Sequence, residues 1–182
     1  VTFYRGQVYM LAGEARAGFA DLEASVAEFE RMSPADIVRV NDLERQGVFL
    51  SRSEIEGLLA GVFATGGRID EALDLTQAII EQATDIPERA WWGRAIALAL
   101  AGRVSEAREA YSIARNAAER VSDASGMVLM YLYQISNVVV PYGADNVPER
   151  SRIAREGEAA WRRVGGALGD VSPRSAWLPI LQ

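Results

Sequence analysis

GRIDEAL, residues 67–73, and GRVSEAR, residues 102–108, repeat nearly the same phrase at an interval of 35 residues. Each phrase joins a glycine, which permits a tight turn, to an apolar residue and an alanine at helical spacing. The repeat therefore predicts that one helix ends before each glycine and that another begins after it. We expect a chain of stacked helix pairs that recur at this interval.

Outward from the repeated phrase, amphipathic segments alternate with segments that are apolar on several sides. A helix that is apolar on several sides must be covered on several sides. The alternation predicts an all-α chain in which inner and outer helices follow one another. The expected pairs lie at about 2–32, 53–84, 88–121 and 124–165.

Two stretches depart from this regular array. The interval from Gly13 to Gly67 is 54 residues, which predicts an extra helix at about 34–46 between the first two pairs. At the other end, Ser172-Pro173 has the form of a helix start, so residues 173–182 are expected to begin a further inner helix. That helix would either fold back over the fourth pair or form a homodimer contact with a second copy. We also expect the chain to be a segment of a longer protein.

The composition excludes several functions. The chain has no cysteine and no histidine, which removes disulfides, the usual zinc sites and the commonest general acid-base group. A net charge of −6 disfavours nucleic-acid binding by this segment. No apolar run reaches the length of a membrane span and no secretory signal is visible, so we expect a cytoplasmic protein that has no membrane partner. We expect no catalytic residue, no metal and no cofactor.

Acidic clusters such as Asp21 and Glu23 are expected on a solvated helix face, although two carboxylates could in principle support glycoside chemistry.

The stretch WWGRAIALALAGRVSEAREAYSIA, residues 91–114, resembles a tetratricopeptide repeat. It has an early tryptophan, Trp91, a turn glycine, and small and aromatic residues along the second helix at Ala107, Tyr111 and Ala114. The preceding unit keeps Leu59, Phe63, Gly67, Ala72 and Ile79 in the same relative places but has Glu56 where the tryptophan would fall. The irregular spacing is more similar to helical-repeat segments of large bacterial regulators, including LuxR-type regulators, than to regular co-chaperone arrays.

The resemblance implies a right-handed superhelix of antiparallel helix pairs, an α-solenoid whose inner helices line a concave groove. Since adjacent helical residues point about 100° apart, one of Trp91 and Trp92 is expected in the core and the other in the groove. We assign Trp91 to the core. Burial of the groove residues beneath neighbouring segments is the alternative. The predicted groove residues are Tyr4, Gln7, Arg89, Trp92, Ile96, Tyr131 and Gln134.

The sequence therefore predicts a non-enzymatic interaction or regulatory scaffold within a larger signalling or transcription-regulatory protein. Its partner would be a protein, a peptide or another domain of the same chain. Aromatic groups would provide affinity, and Arg89 would select carboxylates. The alternative is a small-molecule-sensing helical domain of a transcription regulator, which a closed apolar pocket would favour over an open groove.

Overall fold

The described part of the chain consists of helices joined by turns and short connecting segments. The computed structural model describes residues 2–12, 14–33, 35–36, 39, 52–121 and 123–168. No strand occurs among these residues, so the prediction of an all-α chain is confirmed for them. The helices are α1 Thr2–Leu11, α2 Ala15–Glu30, α3 Arg52–Thr65, α4 Ile69–Gln82, α5 Glu88–Leu100, α6 Val104–Arg120, α7 Ala124–Gln134, α8 Val140–Tyr142 and α9 Val147–Leu168.

The repeated phrase forms the same turn at both of its occurrences. Gly67 and Gly102 have φ angles of 86° and 75°, in the left-handed region that only glycine adopts without strain. At each turn the glycine N–H donates to the carbonyl three residues before it at 3.0 Å. The next N–H donates to the carbonyl five residues before it at 2.9 Å. Both turns are Schellman motifs, which satisfy the last carbonyls of α3 and α5.

The arginine and the glutamate of the phrase also form the same pair twice. Arg68 donates two hydrogen bonds to Glu71, at 2.9 and 2.6 Å. Arg103 donates two to Glu106, at 2.8 and 2.6 Å. These bonds lower the pKa of both carboxyls from its ordinary value. The alanine that follows each glutamate is fully buried, so the recurring letters have recurring structural roles.

Glycines bring α3 and α5 into close contact. A Cβ on Gly57 would lie 2.5 Å from the backbone carbonyl carbon of Arg89, and a Cβ on Gly93 would lie 2.4 Å from the carbonyl oxygen of Gly57. A Cβ on Gly61 would lie 3.1 Å from the Cδ1 atom of Ile96. The two helix backbones can approach this closely only because these positions have no side chain.

Successive helices pack into one continuous core. Helix α3 contacts α4 and α5, α5 also contacts α4 and α6, and α7 contacts α6 and α9. Helices α1 and α2 pack as a pair and join the others where α2 meets α3. Helices α3 and α5 therefore pack closely on each other, whereas α5 and α7 share a smaller contact.

Helices α6 and α9 run in the same direction. Near their starts, Arg108 donates to both carboxylate oxygens of Glu149, at 2.7 and 2.8 Å. Near their ends, Arg163 lies 3.6 Å from Glu119. Since α7 returns from the end of α6 to the loop before α9, it runs against both of them.

A π-helical turn, Ile135–Val139, lies between α7 and α8. The N–H of Val140 donates to the carbonyl of Ile135, five residues before it. Pro141 follows directly and has no N–H to continue the α-helical ladder. The predicted inner helix of the fourth pair therefore continues past α7 through this wider turn.

Some predicted elements cannot be compared with the structure. The extra helix at 34–46 falls almost entirely outside the described residues, since only 35, 36 and 39 are described there. The further helix at 173–182 lies wholly outside them.

Candidate functional site

The predicted groove residues whose side chains are described are not open to solvent. Trp92 is 6% exposed, and Ile96, Tyr131 and Gln134 are likewise buried. The side chain of Arg89 is 14% exposed. These side chains therefore do not line an open groove, and the alternative of burial describes them. Whether they contact a partner stays a prediction. Tyr4 and Gln7 lie on α1, but their side chains are outside the described part of the chain.

The two tryptophans exchange the positions expected for them. Trp92 belongs to the core, and Trp91 is only partly buried against it. Tyr133 of α7 covers Trp92 with an edge-to-face contact of 5.1 Å between ring centroids, and the Arg89 guanidinium lies 5.6 Å from the Trp92 ring. The physical reason is that α7 lies over the face of α5 that was expected to be free.

The predicted groove residues separate into two groups instead of meeting in one groove. In the first group Tyr131 and Gln134 surround Arg115 of α6. Arg115 donates to the side-chain oxygen of Gln134, and its guanidinium lies 4.8 Å from the centre of the Tyr131 ring. The Tyr131 hydroxyl donates to Glu156 of α9 at 3.4 Å. Burial lowers the pKa of Arg115 and raises that of Tyr131. This group links α6, α7 and α9 inside the protein.

The second group surrounds Arg89 at the start of α5. Arg89 pairs with Asp123, the residue before α7, at 2.5 Å. Asp123 also caps α7 by accepting the Gly126 N–H at 2.8 Å. The Arg89 Nε lies 3.1 Å from a Glu88 oxygen, although these atoms are not aligned for a hydrogen bond. The ion pair between Arg89 and Asp123 therefore links the start of α5 to the start of α7.

Three of the exposed large apolar side chains of the described residues lie on α7 and its continuation. Leu129, Tyr133 and Val140 are 41%, 36% and 50% exposed. We call these three residues the α7 strip. Tyr133 connects the strip to the core through its contact with Trp92. No charged residue occurs between positions 124 and 143, so the strip is bordered along its own helix by uncharged residues only.

Three acidic residues of α2, Asp21, Glu23 and Glu28, are bonded to arginines or to a threonine. Asp21 accepts two hydrogen bonds from Arg5, at 2.5 and 2.8 Å. Glu23 accepts one from Arg68 at 2.6 Å, and Glu28 accepts one from Thr2 at 2.8 Å. These contacts match the predicted solvated face. In the described part of the chain, no group of three acidic, cysteine or histidine side chains is arranged to hold a metal ion. No described helix is long and apolar enough to cross a membrane.

Compared with known proteins, the chain matches no family model, no curated protein and no solved structure.

Sequence reasoning missed the α7 strip and the ion pair of Asp123 with Arg89, which brings the Asp123 carboxylate close to Glu88. A signal for the first exists in the sequence, because Leu129 and Tyr133 are four residues apart within a 20-residue stretch that has no charge. A signal for the second is weaker. Asp123 stands three residues before Gly126 at a helix start, as a capping residue does, but nothing in the sequence places it beside Glu88.

Proposed function

We propose that this chain is a non-enzymatic interaction segment, a right-handed superhelix of tetratricopeptide-like helix pairs within a larger regulatory protein. The shared turns at Gly67 and Gly102 support the repeat. The sequential packing of α3, α5 and α7 supports the stacking of successive pairs. The proposed activity is binding, without covalent chemistry.

The α7 strip is the observation that carries this proposal. Exposed apolar side chains that are scattered singly need no explanation, but several on one uncharged helix, one of them packed on a buried tryptophan, are typical of a binding surface. Tyr133 is such an anchor, because its ring is already held against Trp92. A partner would gain contact area without having to order that side chain.

The partner that fits the strip is the apolar face of an amphipathic helix from another protein. Charged groups of a partner would lose water over residues 124–143 and would find no opposite charge there. A helix fits because each inner helix of this chain is covered by the next one, as α3 is by α5 and α5 is by α7. A partner helix on the strip would continue that row, in the helix-on-groove mode of recognition.

Substitution of the strip tests the proposal. A photo-crosslinking residue at position 129, in the intact protein in its own cells, identifies the partner, which is then purified and titrated. We expect Leu129→Glu and Val140→Glu each to weaken binding of the purified partner by at least about tenfold, because a charge would be desolvated in an apolar contact.

The control is Val121→Glu, since Val121 is an equally apolar residue that is 70% exposed and lies outside the strip. The melting temperature of each variant shows that it is folded. The proposal is contradicted if no crosslink depends on position 129. It is also contradicted if the strip variants bind the purified partner as tightly as Val121→Glu does.

A further inference from the structure

Three inner helices meet at Arg89. The backbone of Arg89 lies against Gly57 of α3, where a Cβ would come within 2.5 Å of it. Its guanidinium lies against the first turn of α7, with Nη1 3.0 Å from the place of a Cβ on Gly126. The ion pair with Asp123 fixes that guanidinium at the cap of α7. Any change in charge here acts on the contact between α5 and α7.

The charges at this junction do not balance. Two carboxylates lie against the single Arg89 guanidinium: Glu88 of α5 and Asp123 before α7. Glu88 is the more enclosed of the two, with its side chain 11% exposed against 26% for that of Asp123. One of its oxygens, Oε2, is fully buried without a hydrogen-bond partner. An ionised carboxylate with an unpaired buried oxygen is costly, and the neutral protonated form costs less.

The surroundings of Glu88 favour its protonated form. Burial is the largest influence and raises the pKa of Glu88 to about 7. The Arg89 guanidinium opposes this rise. The neighbouring Asp123 and Glu54 carboxylates add to it. Glu88 therefore exchanges its proton with solvent near neutral pH.

We propose that Glu88 is a proton-operated latch between α5 and α7. With its proton, Glu88 donates to the Asp123 carboxylate, which at the same time caps α7 and pairs with Arg89. When the proton leaves to solvent, two adjacent carboxylates repel each other and the start of α7 moves away from α5. The latch does not depend on the proposed partner, because it involves only groups within the chain.

The direction of the pH effect follows from proton binding. Between about pH 4.5 and pH 7 the folded protein holds the Glu88 proton while the unfolded chain has released it. The free energy of unfolding therefore falls as pH rises from about 4.5 to about 7. Above pH 7, the ionisation of Glu88 does not change it further. The unfolding equilibrium constant is expected to rise by up to about tenfold per pH unit within the window.

The first measurement is the titration of Glu88 itself. The carboxyl ¹³C signal of Glu88, assigned by its absence in Glu88→Gln, is followed from about pH 4 to pH 9. We expect a midpoint near 7, as the enclosed site dictates. A midpoint in the ordinary range for a glutamate overturns the proposal.

The second measurement tests the movement. The Gly126 N–H, which donates to the Asp123 cap, is expected to lose protection from hydrogen exchange by about tenfold or more as pH rises through 7, after correction for the intrinsic rate. Glu88→Gln keeps a neutral donor at this place, so its Gly126 protection should not change over the same range. The control Glu109→Gln, at an exposed site on α6, should behave as the unchanged protein does. Equal protection in all three proteins across pH 7 overturns the latch, even if Glu88 titrates there.

Discussion

Gly102 turns the chain from α5 into α6 without touching the structure around it. A Cβ at this position would meet no atom within 4 Å, and the same is true of Gly67. The requirement for glycine is therefore one of backbone conformation alone. Gly102→Ala is expected to lower the free energy of unfolding by about 1–2 kcal/mol, the cost of a left-handed residue with a side chain. Urea denaturation followed by circular dichroism measures this change.

The matched control for this turn is Ser105→Ala, which changes an exposed residue in the first turn of α6. It should leave the free energy of unfolding unchanged or slightly increased, because alanine favours a helix. If Gly102→Ala unfolds at the same urea concentration as the unchanged protein, the positive φ angle does not require a glycine at this position. The Schellman turn would then not explain why position 102 is a glycine.

Trp92 and Trp91 make a second contrast between single residues. Trp92→Ala is expected to cost about 3–5 kcal/mol of stability, because the side chain is buried and holds the Tyr133 ring. Trp91→Ala should cost less, since Trp91 is only partly buried. Denaturation of both variants, followed by circular dichroism, compares them. A larger loss for Trp91→Ala would place the core on the other side of α5.

These residues show what the sequence can and cannot predict at this scale. The turn at Gly102 was predictable because a left-handed turn depends on one residue and its neighbours in sequence. The choice between Trp91 and Trp92 was not. It depends on where α7 lies over α5, and that position is set by contacts between residues more than 30 positions apart, such as Arg89 with Asp123.

At the scale of helices, the crossing of α3 and α5 depends on three glycines. Gly57→Ala is expected to destabilise the protein by about 1–3 kcal/mol or more, because its Cβ would lie 2.5 Å from backbone atoms that cannot rotate away. Gly61→Ala is the comparison within the same helix, since its Cβ would meet only the end of the Ile96 side chain at 3.1 Å. Its cost should be clearly smaller, and thermal unfolding of the two variants tests the order.

Equal melting temperatures for the two variants would show that α3 and α5 can separate at little cost. The helices themselves were predictable from their apolar spacing, but their close crossing was not. Glycine inside a helix usually indicates weakness. Here Gly57 and Gly61 stand four residues apart opposite Gly93, and only the facing helix gives that spacing its meaning.

At the scale of the whole molecule, the order of helices was predictable and their exposed surface was not. The repeat of 35 residues indicates which helices are equivalent. It does not indicate how α7 is oriented relative to α5. The repeated phrase does not occur after α7, and a π-helical turn follows that helix instead. The sequence therefore predicted a groove at Trp92, whereas the structure covers Trp92 and exposes the α7 strip.

Because the two Schellman turns have the same hydrogen bonds, the segment that follows one turn could be joined to the other turn. Gly67 and Gly102 end their helices with the same hydrogen bonds and are followed by the same arginine–glutamate pair. Rejoining Gly67 to Arg103, or inserting a second copy of residues 68–102 after Gly102, creates a junction of a kind that the protein already contains. Unequal recombination at the repeated phrase can thus shorten or lengthen the gene by a whole unit in frame. The number of helix pairs is a quantity that evolution can change in single steps, without first having to invent a new turn.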